Sequence, residues 1–406
     1  MSAIRSFIER YDIGKGIVSG YLSFFLALLC FAGVLCFYFP EQLTTPQFRE
    51  VYTGESMKWL LTGALIATML FGLINILFSP EKKTGMAGIA VACITIVLGG
   101  FDVEGRAVEK TNWHLGLDWL ILDLLLMAII FLPIEMVFPK RVNQKRFHDE
   151  WRTDLIYFAI GHLLIQLFGV IVQRPAVLFF GQMNLEGLQQ AVRSLPLAVE
   201  LFIAFFVTDL FQYWTHRIFH RSRYLWRFHA VHHSVREMDW LAGSRTHFVD
   251  VVLTRSLTYV PLYICGFSPI VFNIYIVVIA IHAVFIHSNT RLNLGPLKYL
   301  ITTPQYHHWH HCIEEEYYGK NYAVFFPFID MIFGTYYLPG NSWPSGTGLN
   351  DAHFPKGYLR QFTYPFTHDP LNSEIEAGLE SKRLGPILQL CLLPITKLSI
   401  AKWQIP

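Results

Sequence analysis

The stretch "DLFQYWTHRIFHRSRYLWRFHAVHHS", residues 209–234, leaves a long apolar run and passes directly into closely spaced histidines. A second such stretch, "TPQYHHWHH", occupies residues 303–311. The chain has 17 histidines, and 12 of them lie between residues 216 and 311. Histidines that merely fill a core would be scattered, so this concentration indicates a shared task.

The spacing of these histidines matches the turns of an α-helix. "HRIFH" places His216 and His220 four residues apart, and "HAVHH" places three histidines at offsets of three and four. "HHWHH" repeats the second pattern. On a helix these offsets return side chains to one face, close enough to share a metal ion. The three clusters comprise eight residues: His216, His220, His229, His232, His233, His307, His310 and His311.

Imidazole is a borderline ligand that suits iron, zinc, copper or nickel, so the residue type alone leaves the metal open. Eight histidines are too many for one four-coordinate ion, whereas two ions with four or five nitrogens each would use them. His308 points about 100° away from His307 on a regular helix. Any single pair of these histidines could be a packing or surface pair, but three clusters together favour a dimetal site.

The composition indicates a membrane protein, because 53% of the 406 residues are hydrophobic and only 15% are charged. A bilayer core of about 30 Å needs about 20 apolar residues as helix. A longer run, 247–288, has Pro261, Gly266 and Pro269 near its middle and predicts two spans. The sequence therefore predicts an all-α integral membrane protein with a multi-span helical bundle. The other predicted spans are 17–39, 58–78, 84–100, 116–137, 153–173 and 196–215.

Basic segments lie before the first span, between the second and third, between the fourth and fifth, and after the sixth. Counting the spans places all four segments on the same side of the membrane. The positive-inside rule makes that side cytoplasmic. The hairpin over 247–288 then returns His282 and His287 to the same side. We therefore expect the histidine segments to share the cytoplasmic face of the membrane. An apolar stretch at 384–400 is interpreted as interfacial rather than spanning, because it has Pro386, Pro394 and basic flanks.

Several polar residues are candidates to orient the histidines. Asp209 and Tyr213 precede His216 by seven and three residues, on the same helical face. A carboxylate there could accept the outer N–H of a ligand and fix its tautomer. An ionisable residue inside a membrane segment is a functional candidate. Asn289, which follows the predicted hairpin, could act similarly.

At these residues the chain resembles the fatty acid hydroxylase/sterol desaturase superfamily of membrane oxygenases. The resemblance is carried by residues 209–234, by "IHSN" at 286–289, by 303–311 and by "NYAVFFPFIDMIFGTYY" at 321–337. It covers roughly residues 200–340. It implies a membrane stem and a cytoplasmic cap that encloses two iron ions, with the eight clustered histidines as metal ligands and catalytic residues.

The resemblance also extends the candidate site. His287 matches a single histidine that many members place before the last box. His282 matches a further histidine of some members, but it precedes His287 by five residues, about 140° on a regular helix, rather than by four. His247 in "RTHFVD" matches a histidine usually followed by proline and is an outer-sphere candidate. Near the end, Ile329, Asp330 and Met331 replace the Trp-Asp-Arg that is common in the family.

The predicted function is hydroxylation, or alternatively desaturation, of a C–H bond in a lipid that reaches the site from the bilayer. The sequence has no GxGxxG motif, so a separate ferredoxin or b-type cytochrome fed by NAD(P)H is the expected electron carrier. The basic residues Arg217, Arg221, Arg223 and Arg227 would suit an acidic carrier, or would simply obey the positive-inside rule. No basic stripe of the kind that binds nucleic acid is present.

Two other classes of function compete with an oxygenase. The first is a histidine-rich membrane metal transporter, or a metal-binding protein without oxygenase activity. A transporter would need histidines and carboxylates near the middle of the bilayer. A haem electron carrier would need isolated facing histidines.

The predicted domains are an N-terminal membrane domain (1–150) with about four spans, a catalytic domain (151–340) and a tail (341–406). The expected location is the bacterial inner membrane or the endoplasmic reticulum.

Overall fold

The computed structural model describes residues 16–45, 54–103, 116–351 and 354–367. In these ranges the regular structure is helical, and an isolated antiparallel bridge joins Cys312 and Thr347. The predicted all-α fold class is confirmed. The stretch predicted as interfacial, 384–400, lies outside the described residues.

The chain divides into two compact units. The first comprises Met1–Lys140 and Phe158–Gly169, and the second comprises Arg141–Tyr157 and Val170–Pro406. The domain boundaries at residues 150 and 340 stay predictions. Four helices of the first unit are α1 (Ile17–Tyr38), α2 (Gly54–Phe78), α3 (Lys83–Val97) and α4 (Leu117–Val137).

Small residues allow the helices of the first unit to approach closely. α1 packs against both α2 and α3. At Gly88 of α3, a Cβ would overlap the Ser23 hydroxyl oxygen of α1, so no larger residue fits without movement. Ser23 also donates a hydrogen bond of 2.9 Å to the Thr68 carbonyl of α2. Close packing and interhelical hydrogen bonds are the forces that associate helices in lipid.

The next helices along the chain are α5 (Trp151–Leu163) and α6 (Ile165–Phe180), followed by short α7 (Glu186–Arg193). The second unit continues with α8 (Leu197–Arg221), α9 (Arg223–His233), α10 (Phe248–Cys265) and α11 (Pro269–His287). Three further short α-helices follow: α12 (Pro304–His310), α13 (Pro327–Ile332) and α14 (Tyr358–Thr367).

The helix boundaries that bring the histidines together follow from local chemistry. Ser222 ends α8 and caps α9, and its hydroxyl accepts a hydrogen bond from the Leu225 N–H at 3.4 Å. Gly266 ends α10 in the left-handed conformation at φ 55°, which glycine adopts without steric penalty. Thr303 caps α12, and Pro304 occupies its first turn, where its missing N–H costs nothing.

Six described helices are long and apolar enough to cross a membrane: Val18–Tyr38, Glu55–Phe78, Leu117–Val137, Leu197–Arg221, Phe248–Cys265 and Pro269–His287. They correspond to the predicted spans 17–39, 58–78, 116–137 and 196–215, and to the two halves of 247–288. The protein is an integral membrane protein by these criteria.

Two predicted spans differ in the structure. The span predicted at 84–100 is the 15-residue helix α3, which at about 1.5 Å per residue is only about 22 Å long. The span predicted at 153–173 is divided between α5 and α6 at Leu164. The first turn of α5 takes part in a polar network, because Asp154 is fully buried and pairs with Arg245.

α8 packs against α9, α10 and α11, and α11 also packs against α12. The C-terminal ends of α8 and α11 and the N-terminal end of α10 therefore lie together. The histidines at 216–220, 229–233, 287 and 307–311 gather at this end of the second unit. Its assignment to the cytoplasm stays a prediction.

Candidate metal centre

Nine histidines form two groups in which each residue offers one ring nitrogen, and the offered nitrogens lie within 4.8 Å of one another. The first group is His216, His220, His229, His233 and His310. The second group is His232, His287, His307 and His311. All nine are buried except His220, which is half-buried.

The helical spacing explains how each motif divides between the groups. His216 and His220, and likewise His229 and His233, are four residues apart and enter the first group together. His307 and His311, again four apart, enter the second. The residue at offset three goes to the other group in each case: His232 joins the second and His310 the first. α9 and α12 therefore each contribute to both groups.

In four of the histidines, a hydrogen bond to a backbone carbonyl determines which ring nitrogen faces the group. The Nδ1 atom of His216 donates to the Tyr322 carbonyl at 2.8 Å, and that of His310 to the Lys320 carbonyl at 2.8 Å. The Nδ1 atom of His232 donates to the Arg245 carbonyl at 3.1 Å, and that of His287 to the Ala283 carbonyl at 2.6 Å. A neutral imidazole that donates through Nδ1 carries its lone pair on Nε2.

His229 has a carboxylate in place of a carbonyl. Its Nδ1 atom lies 2.7 Å from Oδ2 of Asp250, which is buried in α10. Asp250 is also fixed by the Thr254 hydroxyl, which donates to Oδ1 at 3.0 Å. A carboxylate that accepts from the outer nitrogen of a ligand histidine orients the ring and raises its basicity.

The contacts between rings fit bound cations. The Nε2 atoms of His216 and His229 are 3.0 Å apart, and those of His232 and His287 are 3.2 Å apart. With Nδ1 as the donor in all four rings, both pairs place lone pair against lone pair, which repels unless a cation lies between them. Metal–nitrogen bonds of about 2.0–2.1 Å place neighbouring ligand nitrogens roughly 3 Å apart.

Further nitrogens in the groups lack a protein partner within the described residues. They are Nε2 of His220, His233 and His310 in the first group. In the second group, Nε2 of His307 lies 2.9 Å from that of His287 and 3.1 Å from that of His311. Buried polar atoms are normally hydrogen-bonded, so unpaired nitrogens that face a common point indicate a missing ligand. The residues present therefore fit two metal ions, one in each group.

Burial keeps these imidazoles neutral. It lowers the pKa of His232, His233, His307, His310 and His311 well below the usual range, and the neighbouring histidines lower it further. Neutral rings offer the lone pairs that a metal needs.

His282 and His308 belong to neither group. His282 was a predicted ligand, but α11 remains regular and its five-residue offset from His287 turns the ring away. Its Nε2 atom lies 2.7 Å from the Thr302 hydroxyl oxygen. His308 is buried with its ring 5.2 Å from that of Trp343, as its predicted rotation away from His307 implies.

The four predicted outer-sphere residues have other partners. Asp209 accepts hydrogen bonds of 2.6–3.1 Å from three backbone N–H groups, those of residues 324–326. Tyr213 contacts the Thr335 hydroxyl at 2.9 Å. His247 caps α10 and lies 3.0 Å from the Phe362 carbonyl, and Asn289 pairs with the backbone of Arg141.

Asp209 acts on the site indirectly, together with Asp330. Asp330 accepts from the N–H groups of Tyr322 and Ala323 at 2.8 and 2.7 Å, and from the Tyr306 hydroxyl. The two buried carboxylates thus hold the loop 322–326, whose Tyr322 carbonyl orients His216. Asp330 keeps a positioning role although its neighbours differ from the common family pattern.

Sequence reasoning missed Asp250 and Arg245. The signal for Asp250 was present, since it is an acidic residue in a predicted span. Arg245 is 1% exposed and forms ion pairs with Asp154 at 2.6 Å and Glu150 at 2.8 Å. Because its carbonyl accepts from His232, this buried network fixes the backbone that orients a histidine of the second group.

A cavity of about 180 Å³ adjoins both groups. His216 and His229 of the first group line it, as do His232, His287 and His307 of the second. Its wall also includes apolar side chains of α8, α10 and α11: Phe205, Phe219, Val251, Tyr275, Ile279 and Ile286. Apolar walls with a few convergent polar groups are typical of small-molecule sites.

Comparison with known proteins agrees with this geometry. Residues 201–335 match the fatty acid hydroxylase family model. The resemblance stated from the sequence is thereby confirmed for this segment. The matched segment, residues 201–335, includes all nine grouped histidines, together with Asp209, Asp250 and Asp330.

Three curated proteins are similar in sequence to this chain. Ornithine lipid hydroxylase OlsE of Rhizobium tropici is 32% identical over 42% of this chain and 52% of its own length. Alkylglycerol monooxygenase of Homo sapiens is 31% identical over 33% of this chain and 29% of its own length. Methylsterol monooxygenase 1-1 of Arabidopsis thaliana is 28% identical over 34% of this chain and 46% of its own length.

The chain thus spans about half the length, or less, of these curated relatives. No solved structure matches it. These relatives are by name hydroxylases and monooxygenases, and the molecules in their names are an ornithine lipid, alkylglycerol and methylsterol.

Proposed function

We propose that the protein is a membrane di-iron oxygenase that hydroxylates a C–H bond of a lipid. The observation that carries this proposal is the pair of histidine groups beside one apolar cavity between helices that can span a membrane. The histidines of the first group would hold one ion and those of the second group the other. These nine residues are proposed as the metal ligands.

Iron bound in both groups would supply the chemistry that activates dioxygen against an unactivated C–H bond. The reaction inserts one oxygen atom into the C–H bond to form an alcohol, and the other leaves as water. It consumes two electrons and two protons. A ferredoxin or b-type cytochrome fed by NAD(P)H is the proposed source of electrons.

The residues of the chain have separate parts in this proposal. Phe205, Tyr275 and Ile279 bind the lipid chain and exclude water from the cavity. The carbonyls of Tyr322, Arg245, Lys320 and Ala283 hold the outer protons of four rings, and Asp250 holds that of His229. Because these acceptors are fixed before substrate arrives, the rings need little reorganisation.

The cavity lies among α8, α10 and α11, so a lipid would enter laterally from the bilayer. We propose that the histidine end faces the cytoplasm, in the bacterial inner membrane or the endoplasmic reticulum, as the basic segments indicate. The predicted domain of residues 151–340 would then be catalytic, and residues 1–150 would anchor it.

The test compares lipids from cells that express the wild-type chain or the variant His232→Ala under ¹⁸O₂. We expect hydroxylated lipids carrying one ¹⁸O atom with the wild-type chain only. Purified wild-type protein should contain about two irons and show no Soret band. Unchanged lipid profiles, with metal flux in liposomes instead, would favour a transporter and overturn the proposal.

A further inference from the structure

Arg255 places a positive charge within α10, a helix long and apolar enough to cross a membrane. It is exposed, and it lines the same cavity as the histidines of both groups. Ionisable residues within membrane segments are costly and commonly mark a binding site or a pathway.

The carboxylates that share the cavity wall with Arg255 are already engaged. Asp209 accepts from the backbone of residues 324–326, and Asp250 accepts from His229 and Thr254. Within the described ranges, Arg255 itself forms no ion pair. Its guanidinium therefore keeps its donors for a molecule that enters the cavity.

Gln212 supplies a second polar group at the same level of the cavity. It is half-buried in α8, lines the cavity, and has no side-chain hydrogen bond within the residues that the structure describes. It precedes His216 by four residues, about 6 Å along the helix, and Arg255 follows Asp250 by five, about 7.5 Å. Since α8 ends and α10 begins at the histidines, both side chains lie one to two turns away from them.

We propose that Arg255, assisted by Gln212, binds the anionic group of the lipid substrate, a carboxylate or a phosphate. Guanidinium matches the planar oxygen pairs of both groups and binds them through paired hydrogen bonds. The amide of Gln212 donates one further hydrogen bond. This inference rests on the proposed function, because it defines the substrate class of that same cavity as acidic lipids.

The test measures lipid binding to the purified full chain by native mass spectrometry. The probes are oleate, dioleoyl phosphatidate and the neutral oleyl alcohol. In Arg255→Gln we expect at least a tenfold weaker binding of one or both anions and no change for the alcohol. If only oleate binding is lost, the ligand is a carboxylate. If only phosphatidate binding is lost, the ligand is a phosphate. Arg255→Lys should retain part of the affinity.

Arg291→Gln is the matched control, because Arg291 is exposed and is not part of the cavity wall. Equal anion binding in the wild-type chain and Arg255→Gln, or an equal loss for all three probes, would overturn the inference. Thermal unfolding checks that both variants fold. Binding that depends on Arg255 in a protein that forms no oxygenated lipid would instead reject the proposed function.

Discussion

The Nε2 atoms of His232 and His287 face each other across 3.2 Å, although each ring already donates its Nδ1 hydrogen to a backbone carbonyl. Neither nitrogen has a hydrogen left to share if both rings are neutral. The contact is therefore not an ordinary hydrogen bond, and it needs a cation to become attractive. In the first group, the Nε2 atoms of His216 and His229 face each other in the same way at 3.0 Å. We therefore expect one metal ion in each group.

The first prediction compares two buried histidines that differ in their surroundings. His232→Ala removes a nitrogen of the second group and should abolish lipid oxidation and lower the iron content. His308→Ala removes a ring that belongs to neither group and should change both much less. Elemental analysis and product formation measure the two effects. Wild-type iron content in both variants would contradict the assignment.

The second prediction concerns His282, which the sequence suggested as a ligand. Because its Nε2 atom contacts the Thr302 hydroxyl, His282→Gln should retain iron at the wild-type stoichiometry. His287→Gln, on the same helix, should lose part of it. Equal losses of iron in these two variants would place His282 at the metal after all.

Asp250 provides the third prediction. Asp250→Asn replaces the carboxylate beside His229 with an amide and should lower iron affinity or activity by about 10–100-fold. Glu200→Gln is the control, since Glu200 is equally buried in α8 but accepts from Ser268, away from the histidines. It should keep the iron affinity. Competition with a chelator measures both, and equal affinities would argue against an orienting role for Asp250.

The sequence predicted the membrane helices and the clustered histidines well, because both are periodic patterns. It placed all three histidines of each HxxHH motif on one helical face and did not predict that the residue at offset three joins the other group, since the group that each side chain meets depends on the rotation of α9 and α12 against their neighbours. Nor could it find acceptors such as the carbonyls of Tyr322 and Arg245, because every residue has a carbonyl. Asp209 was expected to accept the outer N–H of a histidine, but its partners are backbone N–H groups from a distant loop.

The fourth prediction concerns the buried ion pair of Arg245 and Asp154. Asp154→Ala leaves a buried guanidinium with only Glu150 and should lower the free energy of unfolding by about 3–5 kcal/mol. Asp149→Ala, at an exposed neighbour whose side chain is 89% accessible, should have little effect. Thermal unfolding of both variants measures the difference, and similar melting temperatures would contradict the role of the network.

The fifth prediction concerns pH. Burial alone would lower the pKa of His148, but the carboxylates of Asp239, Asp154 and Glu237 outweigh it and raise the pKa above 6.5. A raised pKa stabilises the fold fully below about pH 6.5, and this contribution is lost as the pH rises through the folded-state value. His148→Gln should therefore destabilise the protein more at pH 6 than at pH 9. If His148→Gln lowers the melting temperature equally at both pH values, a protonated His148 stabilised by these carboxylates is contradicted.

The most direct measurement of the central claim is anomalous diffraction at the iron absorption edge, from crystals of protein purified without removal of bound metal. We predict two peaks, one among His216, His220, His229, His233 and His310, and the other among His232, His287, His307 and His311. A single peak, or none within reach of these rings, would contradict the claim.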